Sequence, residues 1–301
     1  MSAAAESPGD DRIAVTVIGG YLGSGKTTLV NHILREADER IVVLVNDFGA
    51  INIDADLITA RSEDTLELAN GCICCSLVDG FAAALDTISA LEPRPKRLVI
   101  EASGVSDPAQ IAAWGHGPGF MMDAVVVLVD AETIRSQVGD KYIGQTVTQQ
   151  LAAAEIVVIN KIDLVDSADV AGLVGWVEER CPDAFVTTAE LSRVAPEVLF
   201  GRSVDRSGRP NRPQVGAAGQ HGADVFTTST IEIDEPMSRE AVAALMADMS
   251  PRVARAKGLV WLADDPDRPA VLQRVGKRWT LRSMATWPAS PSTRIVVIES
   301  R

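Results

Sequence analysis

Basic residues are scarce in this 301-residue chain: 28 Lys plus Arg stand against 41 Asp plus Glu, a net charge of −13. Such a surface repels a phosphate backbone, whereas a nucleic-acid binder must displace its counterions, so nucleic acid is excluded as a partner class. Long apolar runs are missing too. The longest, such as residues 124–129, fall far short of the ~20 residues a membrane span needs, and the polar, acidic residues 1–10 hold no apolar signal region. Cysteine is the third scarcity. There are four, three of them crowded together as Cys72, Cys74 and Cys75, too few and too clustered for a secreted disulfide framework. These absences point to a cytoplasmic protein without a membrane partner. Apolar mass is plentiful at 47% of residues, enough for one large domain or two unequal ones.

The apolar residues form short β-branched runs separated by longer amphipathic stretches. Residues 13–18, 41–45, 97–101, 124–130, 156–160 and 185–187 read as strands; residues 26–37, 78–91, the stretch before Glu155 and residues 168–179 read as helices. Continuously apolar strands alternating with helices predict an α/β domain, a mostly parallel sheet covered on both faces, over residues 12–200, behind a disordered lead of residues 1–11. Residues 201–224 shift to Gly, Arg, Pro, Ser and Gln without periodicity and read as a linker. Residues 225–301 read as a small α+β domain, with alternating Thr and Ile at 225–234, a helix at 238–249, an extended run at 258–262 and a hairpin over 271–281 turning at Gly276-Lys277.

Between the first strand and the first helix, residues 20–27 (GYLGSGKT) fit G-x-x-x-x-G-K-[ST]. Gly20, Gly23 and Gly25 let the backbone wrap so that N–H groups, with Ser24, point inward at anionic oxygens. Lys26 then reaches the β- and γ-phosphates as an exposed clamp, and the Thr27 hydroxyl, with Thr28 beside it, takes Mg²⁺. After a later strand come Asn160, Lys161 and Asp163 in the order N-K-x-D. The Asp163 carboxylate can accept from the ring N–H and exocyclic amine of guanine; adenine offers no such donor pair, which favours GTP over ATP. An ordinary helix-capping role for N-x-x-D is the alternative. Between these motifs a buried strand ends at Glu101, followed by Gly104: the acid can hold Mg²⁺ or its water, and the glycine N–H can sense a γ-phosphate. A capping Ser103 before a helix starting at Asp107-Pro108 is compatible with both. Asp47, in the Asn46-Asp47-Phe48-Gly49 segment with Asp54 nearby, is the candidate for positioning the attacking water, with a plain Asx turn as its alternative. No glutamine stands out for that task.

The segment 71–76 (GCICCS) puts three thiols within four residues. In an extended chain Cys72 and Cys74 share a side and Cys75 faces away, so all three converge only where the chain turns, as Gly71 and Ser76 allow. Convergent thiolates would fill three of the four tetrahedral positions Zn²⁺ prefers and leave one open, which suits delivery. A redox dithiol and buried small hydrophobes are the alternatives. Cys181 is isolated and reads as structural.

Taken together, residues 19–28, 45–54 (VNDFGAINID), 71–76, 101–108 (EASGVSDP) and 160–163 resemble, in order, the CobW-type metallochaperone GTPases, the group of cobalamin-synthesis proteins, nitrile hydratase activators and zinc chaperones. The resemblance runs from about residue 12 to the end, and residues 257–281 are similar to the family's small second domain. It implies a P-loop NTPase fold and GTP hydrolysis coupled to handing a divalent metal, Zn²⁺ or Co²⁺, from Cys72, Cys74 and Cys75 to a metal-requiring client protein. It implies phosphate binding by residues 23–28, and a nucleotide- or metal-dependent homodimer is carried as an expectation. Three departures stand out. Asp47 and Ala50 occupy places where the family often has N-E-F-G-E, residues 201–224 hold only His221 where many members carry a His-rich tract, and the family's terminal helix has no counterpart after residues 294–299. His116 falls in a loop where relatives place a further metal ligand, a lone surface histidine being the alternative. Two functions follow: a GTPase whose nucleotide state opens or closes the cysteine site, or a non-catalytic, nucleotide-gated metal-binding or partner-binding module.

Overall fold

The computed structural model describes residues 12–36, 40–46, 65–67, 76–201, 226–284, 287 and 290–300. It contains two compact units: residues 13–200 with 275–277 form one, and the remainder the other.

In the first unit the chain runs β1 (Ile13–Gly19), α1 (Lys26–Glu36), β2 (Ile41–Asn46), β3 (Thr65–Glu67), α2 (Ser76–Ser89), β4 (Arg97–Ala102), α3 (Pro108–Trp114), β5 (Phe120–Asp130), α4 (Ile134–Gly139), α5 (Gly144–Ala153), β6 (Ile156–Asn160), α6 (Ser167–Glu178), β7 (Phe185–Ala189) and α7 (Pro196–Phe200). The strands form one sheet in the order β3-β2-β4-β1-β5-β6-β7, and the described pairings are parallel. Every residue of β4, β5 and β6 is buried. That is why these strands read as continuous apolar runs: a parallel sheet with helices on both faces has no solvent side. Ile18, Leu44, Leu98, Ile100, Leu128 and Ile159 are among its fully buried side chains. From β1 the sheet grows outward in both directions, to β4 on one side and β5 on the other, and the crevice beyond the carboxyl ends at such a switch point is where open α/β sheets bind ligands.

One strand starts earlier than its apolar pattern suggests. β5 begins at Phe120, not at Ala124, because Asp123 interrupts the run while remaining inside the strand. The register against β1 slips there, passing from Val15↔Met122 to Thr16↔Ala124, so Asp123 is the extra residue of a bulge. Its Oδ2 accepts from Arg97 Nη1 at 2.6 Å, with both residues buried. Arg97 also donates to the Phe200 carbonyl at 3.4 Å and lies 4.2 Å over the Phe200 ring, which ties α7 to the starting edge of the sheet.

The second unit contains β8 (Phe226–Ile233), α8 (Arg239–Asp248), β9 (Val253–Leu262), β10 (Asp265–Val275), β11 (Arg278–Ser283) and β12 (Thr293–Ser300), with sheet order β11-β10-β9-β12-β8. β12 pairs antiparallel with both β8 and β9. Val242 and Met246 of α8 pack on Ala256, Val260, Leu272, Ile295 and Val297. β9 and β10 are longer than the apolar runs at 258–262 and 271–275 predict. Arg255 and Lys257 lie inside β9, and Asp265, Pro266, Asp267, Arg268 and Pro269 inside β10, so polar and turn-forming residues mask the strand beginnings.

Candidate nucleotide site

The loop from β1 to α1 takes its shape from glycine. Gly20 and Gly25 have φ of +132° and +104°, and at Gly25 a Cβ would come within 2.5 Å of Ser192 Oγ, so only glycine fits there. Ser24 N donates to the Tyr21 carbonyl at 3.2 Å, and α1 opens with Leu29 N donating to the Gly25 carbonyl at 3.0 Å. The Ser24 hydroxyl is buried with no hydrogen-bond partner among the described residues. An orphaned donor inside a glycine loop at a helix start fits an anionic oxygen. Lys26 corrects the expectation of an exposed clamp. It is 6% exposed, and its Nζ donates back to the carbonyls of Gly20 at 3.0 Å and Tyr21 at 3.4 Å. The ammonium thus lies across the loop it follows, where a buried cation finds carbonyl acceptors. Thr28 is exposed on the first turn of α1.

Glu101, at the end of β4, is 2% exposed, and its Oε1 accepts from Thr27 Oγ1 at 2.7 Å. A hydroxyl beside a buried carboxylate is an all-oxygen donor set, the kind Mg²⁺ takes in phosphate sites. Gly104 packs against the glycine loop so closely that a Cβ would approach Leu22 N to 2.9 Å. Its turn is closed by Ser106, whose N and Oγ donate to the Ser103 carbonyl at 3.0 and 2.8 Å. The cap of α3 is Asp107, which accepts from Ala109 N at 2.9 Å with Pro108 at the first helical position.

The Asn160-Lys161-Ile162-Asp163 segment divides its labour. Asn160 is 2% exposed; its Nδ2 donates to the Ser24 carbonyl at 2.9 Å and to Ser192 Oγ at 2.8 Å, and its Oδ1 accepts from Ser192 N at 2.8 Å. Ser192 Oγ donates in turn to the Gly25 carbonyl at 3.0 Å. The amide thus clasps the glycine loop and the segment after β7 together. Leu191 and Ser192 both hold positive φ, of 50° and 57°, a strained pair that the clasp maintains. Lys161 is left-handed as well, and its Nζ donates to Asp130 Oδ2 at 2.6 Å. Asp163 is exposed in the 3-10 turn Ile162–Leu164. The helix-capping alternative fails for this segment, since Asp166 caps α6 by accepting from Ala168 N at 3.0 Å. Ser192 and Asp130 escape sequence reading because neither belongs to a spaced motif; a serine just past the last parallel strand is the only signal for the former.

Asp47, Asp54, Cys72, Cys74, Cys75 and His221 lie outside the described residues, and among the described residues no group of three His, Cys, Asp or Glu side chains could hold a metal ion. His116 is exposed after α3. Cys181 is buried, and burial pushes its thiol up to about 11. No described helix is long and apolar enough to cross a membrane.

A family model described as CobW/HypB/UreG, nucleotide-binding domain, matches residues 14–187, and one described as Cobalamin synthesis protein cobW C-terminal domain matches residues 226–300. The zinc chaperone CobW of a Sinorhizobium species is 28% identical, with 95% of this chain and 92% of that protein covered. The zinc chaperone YjiA of Escherichia coli K12 is 29% identical over 85% of this chain and 84% of that protein. The crystal structure of the Zn(II)-bound YjiA GTPase from E. coli aligns over 96% of this chain and 95% of that one, at 23% identity and a TM-score of 0.48.

Proposed function

The chain belongs to the CobW family, a CobW/HypB/UreG nucleotide-binding domain followed by a CobW C-terminal domain, and from that premise we propose that it is a GTP-hydrolysing metallochaperone. It binds zinc or cobalt at Cys72, Cys74 and Cys75 and delivers the metal to a metal-requiring client protein. The observation that carries the reading is the 2.7 Å hydrogen bond joining Thr27, just past the glycine loop, to the buried Glu101, which comes 74 residues later. That pairing brings a phosphate-loop hydroxyl and an acid to one point beside the carboxyl ends of the strands. The names of the zinc-chaperone relatives support the metal.

In this reading residues 20–25 wrap the phosphates, and Lys26 exchanges the carbonyls of Gly20 and Tyr21 for phosphate oxygens. Thr27 and Glu101 hold Mg²⁺, which when bound neutralises charge developing on the β- and γ-oxygens. Gly104 faces the γ-phosphate and Asp47 orients the attacking water. Asp163 reads guanine, while Asn160 and Lys161 keep its turn in place. Residues 12–200 form the GTPase domain, 201–224 the linker and 225–301 the second domain.

The test is a pair of metal titrations, with Zn²⁺ or Co²⁺, on the GDP-bound and GTP-analogue-bound protein. Coupled sites differ in affinity by roughly 5- to 150-fold, and the same factor must appear in nucleotide affinity when metal is added. Replacing the three cysteines by serine should abolish the difference and spare GTP binding. Equal dissociation constants in the two states would sink the chaperone mechanism, and single-turnover GTP cleavage with and without metal separates the GTPase from a non-catalytic, nucleotide-gated module.

A further inference from the structure

Gln150, on α5, is 1% exposed. A buried side-chain amide needs partners, and this one gives its nitrogen to a single loop: Nε2 donates to the carbonyls of Gly104 at 3.1 Å and Ser106 at 3.0 Å. Both acceptors belong to the turn that Ser106 closes on Ser103. Because a peptide unit is planar and trans, turning the Gly104 carbonyl toward Gln150 aims the N–H of Val105 the opposite way. The turn's other contact is with the glycine loop, where Gly104 meets Leu22. It is therefore held from two directions, by the loop of residues 20–25 and by α5. That helix runs on through Ala154 and Glu155 into β6, the strand that ends at Asn160.

We propose that Gln150 is a positioning residue that presets the Gly104 turn for a γ-phosphate and so sets how strongly the protein distinguishes GTP from GDP. This rests on the reading of residues 20–27 and Gly104 as a GTP site. GDP presents no γ-phosphate to the turn, so ordering the turn in advance favours GTP alone. Without the two hydrogen bonds the turn must be ordered at the moment GTP binds, and that entropic cost falls on GTP only.

The experiment is Gln150→Met in the full chain, which keeps length and flexibility and removes the donors. Affinities for GDP and for a non-hydrolysable GTP analogue are measured by calorimetry on wild type and variant. GDP affinity should stay within about twofold while analogue affinity falls about tenfold, a typical coupling factor. A variant that merely packs less well lowers both affinities together, and an unchanged ratio overturns the proposal. Wild type binding neither nucleotide would instead refute the site itself and remove this inference with it. Should the variant not fold, hydrogen exchange at Ser106, whose N–H closes the turn on the Ser103 carbonyl, decides in the wild type: protection already present in the GDP form supports the preset turn, and protection that appears only with the analogue overturns it.

Discussion

Arg97 and Glu101 stand near opposite ends of one strand, β4, and both are buried, at 6% and 2% exposed, yet their partners differ in kind. At the starting edge of the sheet, charge meets charge: Arg97 faces Asp123 at 2.6 Å, with the Phe200 ring beneath the guanidinium. At the finishing edge, Glu101 is met by the hydroxyl of Thr27, and Lys26 by the carbonyl of Gly20. Burying an ion costs several kcal/mol, so a fold that spends this on a neutralised pair obtains a fixed junction between β4, β5 and α7. At the finishing edge the two hydrogen bonds instead bring an acid and a base to the glycine loop.

The sharpest way to break the comparison is Asp123→Ala. It removes the carboxylate that neutralises the buried Arg97 guanidinium and should lower unfolding free energy by about 3–5 kcal/mol, read from urea denaturation. Pairing it with Arg97→Met should restore most of the loss, since an apolar pair of similar volume tolerates the site. At the other edge, Lys26→Ala should cut GTP hydrolysis by about a hundredfold or more while stability changes by only about 1 kcal/mol; a variant that hydrolyses at the wild-type rate refutes the phosphate role. Asp163→Asn, beyond the same edge, should weaken GTP binding by about 1–3 kcal/mol and shift preference to xanthosine triphosphate, whose ring oxygen can pair with an amide donor. Unchanged base preference in a competition assay would remove Asp163 from guanine reading.

The smallest effect belongs to Cys181, in the turn that leads into β7 at the starting edge. Burial raises its thiol from the ordinary 9.0 to about 11, although Arg180 opposes this. Between those values the folded protein keeps a proton the unfolded chain has lost. The stabilisation is therefore complete below pH 9 and disappears as pH rises towards 11. The loss should be on the order of 1–2 kcal/mol. Urea midpoints taken across that range should fall in wild type more steeply than in Cys181→Ala; parallel slopes would show that the thiol does not titrate with folding.

Much of the site was legible because its chemistry is local. The glycine loop, the acid closing a buried strand and the Asn160-Lys161-Ile162-Asp163 turn each depend on neighbours a few residues away, and each stands at a carboxyl end of the sheet. What escaped the sequence is the contacts that join distant positions: Asn160 reaches Ser24 across 136 positions, Gln150 reaches Gly104 across 46, and Lys161 reaches Asp130 across 31. The fold divides in the same way. Apolar runs revealed β4 and β6 almost to the residue, whereas Asp123 hid the start of β5, because a charged residue in a strand reads as an end until its partner is known.

By itself the sequence determined an α/β unit with a glycine loop between its first strand and helix, an Asn160-Lys161-Ile162-Asp163 turn at a strand end and a second α+β unit, since strand and helix periodicity, glycine spacing and hydrogen-bonding side chains act over short stretches of chain. Only the tertiary structure decided that Lys26 folds back onto Gly20 and Tyr21, that Asn160 is a clasp, that Ser192 completes it and that Asp123 answers Arg97. Each of these is a buried polar group choosing among acceptors that only folding brings within 3.5 Å. The cost of leaving such a group unpaired, about 1–3 kcal/mol, is what selects the partner.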